Sequence, residues 1–176
     1  MSNYKIVVTG PFNSGKTEFI RSISEIEVVS TERRITTEDR GIKAETTVAM
    51  DYGRATLNDN TLYLYGTPGQ TRFDFMWEIL SSEMDAFILL VDATERASFP
   101  DAAQLIELFT GYVNVPYIVV ANKTDLPDPA SLTEVRRGAK VRNDVTVMPC
   151  VATQKSSVRQ VLLQLIELLK RESPAG

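Results

Sequence analysis

An eight-residue glycine loop directly after a strand-like segment constrains the fold of this chain more than any other feature. The loop reads Gly-Pro-Phe-Asn-Ser-Gly-Lys-Thr from Gly10 to Thr17 and fits the pattern Gly-x-x-x-x-Gly-Lys-Ser/Thr, with a helix-like segment at residues 18–24. In this strand–loop–helix order, successive loop N–H groups wrap around phosphates and the helix N-terminus adds a positive dipole end. The competing interpretation is a glycine turn with an incidental Lys-Thr pair.

The chemistry of this loop assigns roles to its residues. Lys16 is expected to neutralise phosphate charge, and the Thr17 hydroxyl is expected to ligate Mg²⁺. The predicted phosphate-binding residues are Asn13, Ser14, Gly15, Lys16, Thr17 and Glu18.

Around the loop, short apolar runs rich in β-branched residues alternate with segments of helical period, which is typical of βαβ units and a mostly parallel sheet. Strands are predicted near residues 5–9, 84–92 and 117–122, with a shorter one near 145–150. Apolar stripes predict helices at residues 102–113 and 158–169. Residues 47–57 and 61–66 flank a turn cluster and predict an antiparallel hairpin. The polar stretch at residues 30–45 lacks a clear period and is interpreted as a functional loop.

The composition excludes many other chemistries. The 176 residues fit one domain and include no histidine and a single cysteine, Cys150. Such a composition excludes Ser-His-Asp and Cys-His nucleophiles within this chain. It also excludes zinc sites made of histidines or several cysteines, and an internal disulfide. The net charge of −4 argues against sequence-independent binding to nucleic acid or anionic lipid. With no signal peptide, membrane span or lipidation site in the sequence, we expect a cytoplasmic protein without a lipid anchor.

A second motif, Asn122-Lys123-Thr124-Asp125, follows the apolar strand at residues 117–121. Side chains at the carboxyl end of such a strand point into the crevice where open α/β sheets bind ligands. An aspartate there can accept two hydrogen bonds from guanine, from N1–H and the 2-amino group, whereas adenine would leave the carboxylate unpaired. Polar residues at strand ends are common, so the motif alone is weak evidence for a guanine site. Its position after the glycine loop makes that evidence strong.

These two motifs in this order resemble the Ras-like small GTPases, and the likeness extends from about residue 4 to residue 170. The stretch Gly66-Thr67-Pro68-Gly69-Gln70, followed by Met76-Trp77, is similar to the prokaryotic members of the MglA and Rup kind. The resemblance implies one G domain over residues 1–176. It implies a six-stranded, mostly parallel sheet with one antiparallel strand and about five helices on both faces.

The resemblance also implies a function, a guanine-nucleotide switch that binds GTP and GDP with Mg²⁺ and slowly hydrolyses GTP. Gln70 would orient the attacking water, the Gly69 N–H would meet the γ-phosphate, and Thr47, chosen over Thr46, would ligate Mg²⁺. Asn122 and Asp125 would select guanine and Lys123 would cover one face of the base, with the Ala152 N–H on the guanine O6 and Thr153 beside it.

The sequence departs from the family pattern in three places. Gly66 replaces the aspartate that usually holds Mg²⁺ through water, and Asp51 is one candidate to substitute for it. Phe12 and Asn13 occupy the part of the loop where Ras itself carries glycines that leave room for an activator's arginine, so they predict a steric barrier to that insertion. Thr153 lacks the long stem of the usual lysine, so base packing is expected to be looser on that side.

Several alternatives stay open. The apolar residues Phe73, Phe75 and Trp77 either anchor a switch helix to the core or form a partner surface, and the resemblance implies an effector or regulator, including a roadblock-domain protein, at the switch regions. Arginines 33, 34, 40, 54 and 72 are either solvated or supply an internal arginine finger, with Arg40 the favoured candidate for the finger. A GTP-binding scaffold subunit with little hydrolysis is the rival function. A P-loop kinase or ATPase would leave Asn122-Lys123-Thr124-Asp125 unexplained.

Overall fold

The computed structural model of the protein describes residues 2–39, 42–67 and 84–172, with the backbone alone at residues 30–39 and 42–49. These ranges contain seven strands: β1 (Ser2–Thr9), β2 (Val29–Asp39), β3 (Ile42–Leu57), β4 (Asn60–Gly66), β5 (Ala86–Asp92), β6 (Tyr117–Asn122) and β7 (Val147–Pro149). They also contain four α-helices: α1 (Lys16–Ile23), α2 (Phe99–Tyr112), α3 (Leu132–Gly138) and α4 (Lys155–Glu172).

The seven strands form one sheet in the order β2-β3-β4-β1-β5-β6-β7. Strand β3 runs antiparallel to its neighbours β2 and β4, and every other neighbouring pair is parallel. The predicted α/β class and the single antiparallel strand are confirmed, but the sheet has seven strands where six were expected. The expected count of about five helices concerned the whole chain, including residues 68–83, which lie outside the described ranges.

The additional strand is β2, and it corrects the prediction of a loop at residues 30–45. Strands β2 and β3 pair continuously from Val29 opposite Tyr52 to Asp39 opposite Ile42. Strand pairing is made by backbone groups, and threonine and isoleucine favour it even where no apolar alternation marks a buried face. A search for apolar periodicity therefore misses this hairpin. The hairpin predicted at residues 47–57 and 61–66 is confirmed as β3 and β4.

The sheet separates two apolar layers, because successive side chains of a strand point to opposite faces. Phe87, Leu89 and Val91 of β5 pack with α2 and α3, whereas Ile88 and Leu90 pack with α1 and α4. Both central strands β5 and β6 are buried along their whole length, as their near-continuous apolar sequences predict.

This arrangement positions the candidate site. Strands β1, β5 and β6 are parallel neighbours, so their carboxyl ends meet at one edge of the sheet. Asp92 and Asn122, the last residues of β5 and β6, are directly opposite each other in the register. The glycine loop leaves β1 at the same edge and leads into α1.

Candidate functional site

The glycine loop of residues 10–17 wraps around a cavity of about 420 Å³ at the carboxyl edge of the sheet. Gly15 has a φ of +102°, and a Cβ there would lie 2.3 Å from the Nδ2 atom of Asn122. A Cβ at Gly10 would lie 2.2 Å from the carbonyl oxygen of Leu90. Both positions of the motif therefore require glycine for close approach to neighbouring strands.

Lys16 lies inside the loop and is 9% exposed. Its ammonium donates hydrogen bonds of 2.9 Å to the carbonyl oxygens of Gly10 and Pro11. Burial lowers the pKa of Lys16 to about 8, against a raising effect from the nearby Asp51 carboxylate. An anion entering the cavity would restore the favourable electrostatics of this buried cation.

A carboxylate, a hydroxyl and a glycine meet in the lining of the same cavity. The Thr17 hydroxyl donates a 2.6 Å hydrogen bond to Oδ2 of Asp51. Gly66 is paired with Asp51 across β3 and β4, and a Cβ at Gly66 would lie 3.3 Å from the Asp51 Cβ. The carboxylate missing at position 66 is thus present on the neighbouring strand, where Oδ2 of Asp51 lies 3.8 Å from the place that a Cβ at Gly66 would take.

This oxygen pair fits Mg²⁺, which prefers one or two carboxylate ligands together with hydroxyl, phosphate and water oxygens. Within the described ranges, no group of three or more His, Cys, Asp or Glu side chains is placed to hold a metal. A metal here would therefore take its remaining ligands from elsewhere, such as nucleotide phosphates.

The second motif is tied to the glycine loop by hydrogen bonds. Asn122, which is 2% exposed, donates a 2.9 Å bond to the Ser14 carbonyl and accepts one of 2.9 Å from the Ala152 N–H. The Lys123 ammonium donates a 2.9 Å bond to the Asn13 carbonyl. Asp125 and Thr153 lie exposed in the loops that follow β6 and β7. The structure therefore brings both motifs to one crevice.

Ala152 shows a difference from its expected role. The resemblance implies that its N–H meets the guanine O6, but in this structure that N–H donates a hydrogen bond to Oδ1 of Asn122. Its carbonyl accepts a hydrogen bond from the hydroxyl of Ser22 in α1. Ser22 is separated from Ala152 by 130 residues, and no local pattern in the sequence pointed to that contact.

Asp92 is a further polar residue of this crevice that sequence reasoning missed. It is 8% exposed at the end of β5 and binds the Lys123 ammonium at 2.8 Å. Its position, a polar residue at the carboxyl end of a buried strand, is the same signal that identified Asn122.

Other predicted residues are not brought to the cavity or are not described. Thr47 lies in β3 opposite Arg34, four residues from Asp51, which is about 13 Å of strand. Gly69, Gln70, Phe73, Phe75, Trp77, Arg40 and Arg72 lie outside the described residues. Arg54 forms a surface ion pair of 3.1 Å with Glu25, in agreement with the solvated interpretation of that arginine. Phe12 lines the cavity and is 81% exposed.

Comparison with known proteins identifies the family. The Ras family model matches residues 5–171, so the chain belongs to the Ras family, as its two motifs indicated. None of the helices in the described part of the chain has the length and apolar character needed to cross a bilayer.

Three relatives show the range of the likeness. An uncharacterized protein of Methanocaldococcus jannaschii is 34% identical over 70% of this chain and 72% of its own length. The mutual gliding-motility protein MglA of Myxococcus xanthus is 23% identical over 99% of this chain and 94% of its own. ADP-ribosylation factor-like protein 13B of Chlamydomonas reinhardtii is 26% identical over 84% of this chain, which covers 27% of that longer protein.

Proposed function

We propose that this protein is a guanine-nucleotide switch that binds GTP and GDP with Mg²⁺ and slowly hydrolyses GTP. Residues 1–176 would act as a single G domain in the cytoplasm. Membership of the Ras family supports the class of activity. The observation that carries the proposal is the direct connection of the Asn122 and Lys123 side chains to the glycine loop, which joins a phosphate site to a base site.

In the proposed nucleotide complex, the amides of the loop and Lys16 hold the phosphates. Asn13, Ser14, Gly15, Thr17 and Glu18 complete the phosphate side. Asn122 and Asp125 select guanine and Lys123 covers one face of the base, with Ala152 and Thr153 next to it. The exposed carboxylate of Asp125 supports this role, since it is accessible to a ligand in the crevice.

The metal would be held by the Thr17 hydroxyl and by Thr47, with the Asp51 carboxylate in place of the aspartate that position 66 lacks. Mg²⁺ when bound neutralises negative charge on the phosphates. Gln70 would orient the water and the Gly69 N–H would meet the γ-phosphate, so that catalysis comes mainly from positioning and electrostatics.

The switch follows from the position of Thr47. The pairing of β3 with β2 keeps Thr47 about 13 Å along the strand from Asp51, so its ligation of Mg²⁺ requires this hairpin to change register or open. Loss of the γ-phosphate would release it again. A partner, such as a roadblock-domain protein, would recognise the difference between the two arrangements of this hairpin, together with the segment after Gln70.

Two measurements test this proposal. Fluorescent GDP should bind at least about a hundredfold more tightly than fluorescent ADP, and Asp125→Ala should abolish that preference because the guanine edge loses its acceptor. Asp144→Asn, a change in an exposed ion pair with Arg142, is the matched control and should leave binding unaltered. Equal affinity for the two nucleotides in the parent protein would contradict the proposal.

The rival function, a scaffold that binds GTP and barely hydrolyses it, is favoured by Gly66 and by the exposed Phe12 at the rim of the cavity. Release of inorganic phosphate over several hours, with and without cell extract, separates the two. Slow release that extract accelerates supports the switch. Binding without release under either condition supports the scaffold.

A further inference from the structure

The carboxylate of Asp92 is held at both of its oxygen atoms. Oδ1 accepts hydrogen bonds from the backbone N–H of Thr94 at 2.9 Å and from its hydroxyl at 2.6 Å. Oδ2 accepts one from the Lys123 ammonium at 2.8 Å. Burial raises the pKa of Asp92, but the hydrogen bonds from Lys123 and Thr94 outweigh it and hold the pKa below its usual value. Asp92 is thus an anion that Thr94 orients through Oδ1 and that binds Lys123 through Oδ2.

Lys123 in turn connects Asp92 to the glycine loop, because the same ammonium donates to the Asn13 carbonyl at 2.9 Å. Lys123 and Asn13 have φ values of 64° and 65°, in the left-handed region that residues with a side chain rarely adopt. Backbone strain of this kind persists only where surrounding contacts hold it in place. The hydrogen bonds that join Thr94 to Asp92, Asp92 to Lys123 and Lys123 to Asn13 supply such contacts.

This series of hydrogen bonds requires a carboxylate at position 92. An asparagine whose carbonyl faces Thr94 would turn its NH₂ group toward the Lys123 ammonium and set two donors against each other. In the flipped orientation the NH₂ group would face the Thr94 N–H. Either way at least one hydrogen bond is lost.

We propose that Asp92 is a positioning residue that controls nucleotide release by fixing Lys123 against the glycine loop. The inference rests on the proposed guanine-nucleotide binding and deepens it. With Asp92 in place, the aliphatic stem of Lys123 is held beside the base site while its charged end stays on Asp92 and Asn13. Without it, the ammonium loses its anchor and the Asn13 turn is free to relax, which opens the loop around the phosphates.

The test is a double-mutant cycle on the dissociation rate of fluorescent GDP. Asp92→Asn should accelerate dissociation about 10-fold, the effect of losing one charge-assisted hydrogen bond. Lys123→Met keeps the aliphatic stem, removes the ammonium, and should accelerate dissociation by a similar or larger factor. Because Asp92 acts through Lys123, adding Asp92→Asn to Lys123→Met should produce no further acceleration.

Three outcomes overturn the inference. They are an unchanged rate in Asp92→Asn, multiplicative effects of about 100-fold in the double variant, or an equal acceleration in the control Asp144→Asn. The melting temperature of each nucleotide-free variant separates this effect from general destabilisation. A general destabilisation by Asp92→Asn would lower the melting temperature and would persist when Lys123→Met is present. Should Lys123→Met fail to fold, Thr94→Val, which removes only the hydroxyl bond to Asp92, should accelerate release less than Asp92→Asn does. Failure of the parent protein to bind the probe would refute the proposed function itself.

Discussion

Adding one methyl group at Gly15 tests whether the glycine loop and the Asn122 loop are joined as the structure shows. The Cβ of Gly15→Ala would lie 2.3 Å from the Nδ2 atom of Asn122, and the backbone there has a φ of +102°. Asn122 is buried and uses both ends of its amide, toward the Ser14 carbonyl and the Ala152 N–H. The Asn122 side chain therefore has to move, and this movement breaks these two hydrogen bonds.

The magnitude follows from those contacts. The left-handed backbone costs an alanine about 1–3 kcal/mol, and two hydrogen bonds lost from a buried amide cost about 1 kcal/mol each. Gly15→Ala should therefore lower the free energy of unfolding by about 3–5 kcal/mol. Urea unfolding of the nucleotide-free protein, followed by circular dichroism, measures this. With an m value of about 2 kcal/mol per molar urea, the midpoint should fall by about 2 M.

Gly111→Ala is the matched control, since it adds the same methyl group at an exposed position of α2 where nothing lies within 4 Å. There the change should stabilise the protein by up to about 1 kcal/mol, because alanine is the better helix former. The two substitutions should thus have opposite signs. A loss below about 1 kcal/mol for Gly15→Ala would refute the reasoning that Asn122 is locked between the two loops.

Three further predictions concern the same site. The pKa of Lys16 is about 8 in the folded protein, below its unfolded value of 10.5, so the unfolded state binds more protons between these values. Stability of the nucleotide-free protein should therefore rise by about 2 kcal/mol from about pH 7 to about pH 9.5 in chemical denaturation, and Lys16→Met should remove the rise. Asp51→Asn should raise the Mg²⁺ concentration that half-maximally slows GDP release about tenfold, and an unchanged titration would place the metal without Asp51. Ser22→Ala, which removes the hydrogen bond from α1 to the Ala152 carbonyl, should accelerate GDP release about 3- to 10-fold, and equal rates would make that contact incidental.

Much of the fold was predictable because burial leaves a periodic trace. Strand β6 has the predicted bounds, Tyr117–Asn122, and α2 and α4 carry the predicted apolar stripes. The two motifs were also visible, because phosphate wrapping requires glycines at set intervals after a strand. Strand β2 was not, since a polar hairpin is stabilised by backbone pairing that leaves no apolar period.

The sequence by itself determined the local requirements of the site: which residues could form a phosphate loop, which strand end could present Asn122 to Asp125, and which chemistries were absent without histidine. The tertiary structure alone decided the contacts across the sheet, because they depend on strand order and register. Asp51 faces Gly66 since β3 pairs with β4. Asp92 reaches Lys123 since β5 ends opposite β6, and Ser22 reaches Ala152 from a helix 130 residues earlier in the chain. No local pattern encodes such distances, because they are set when the strands and helices pack together.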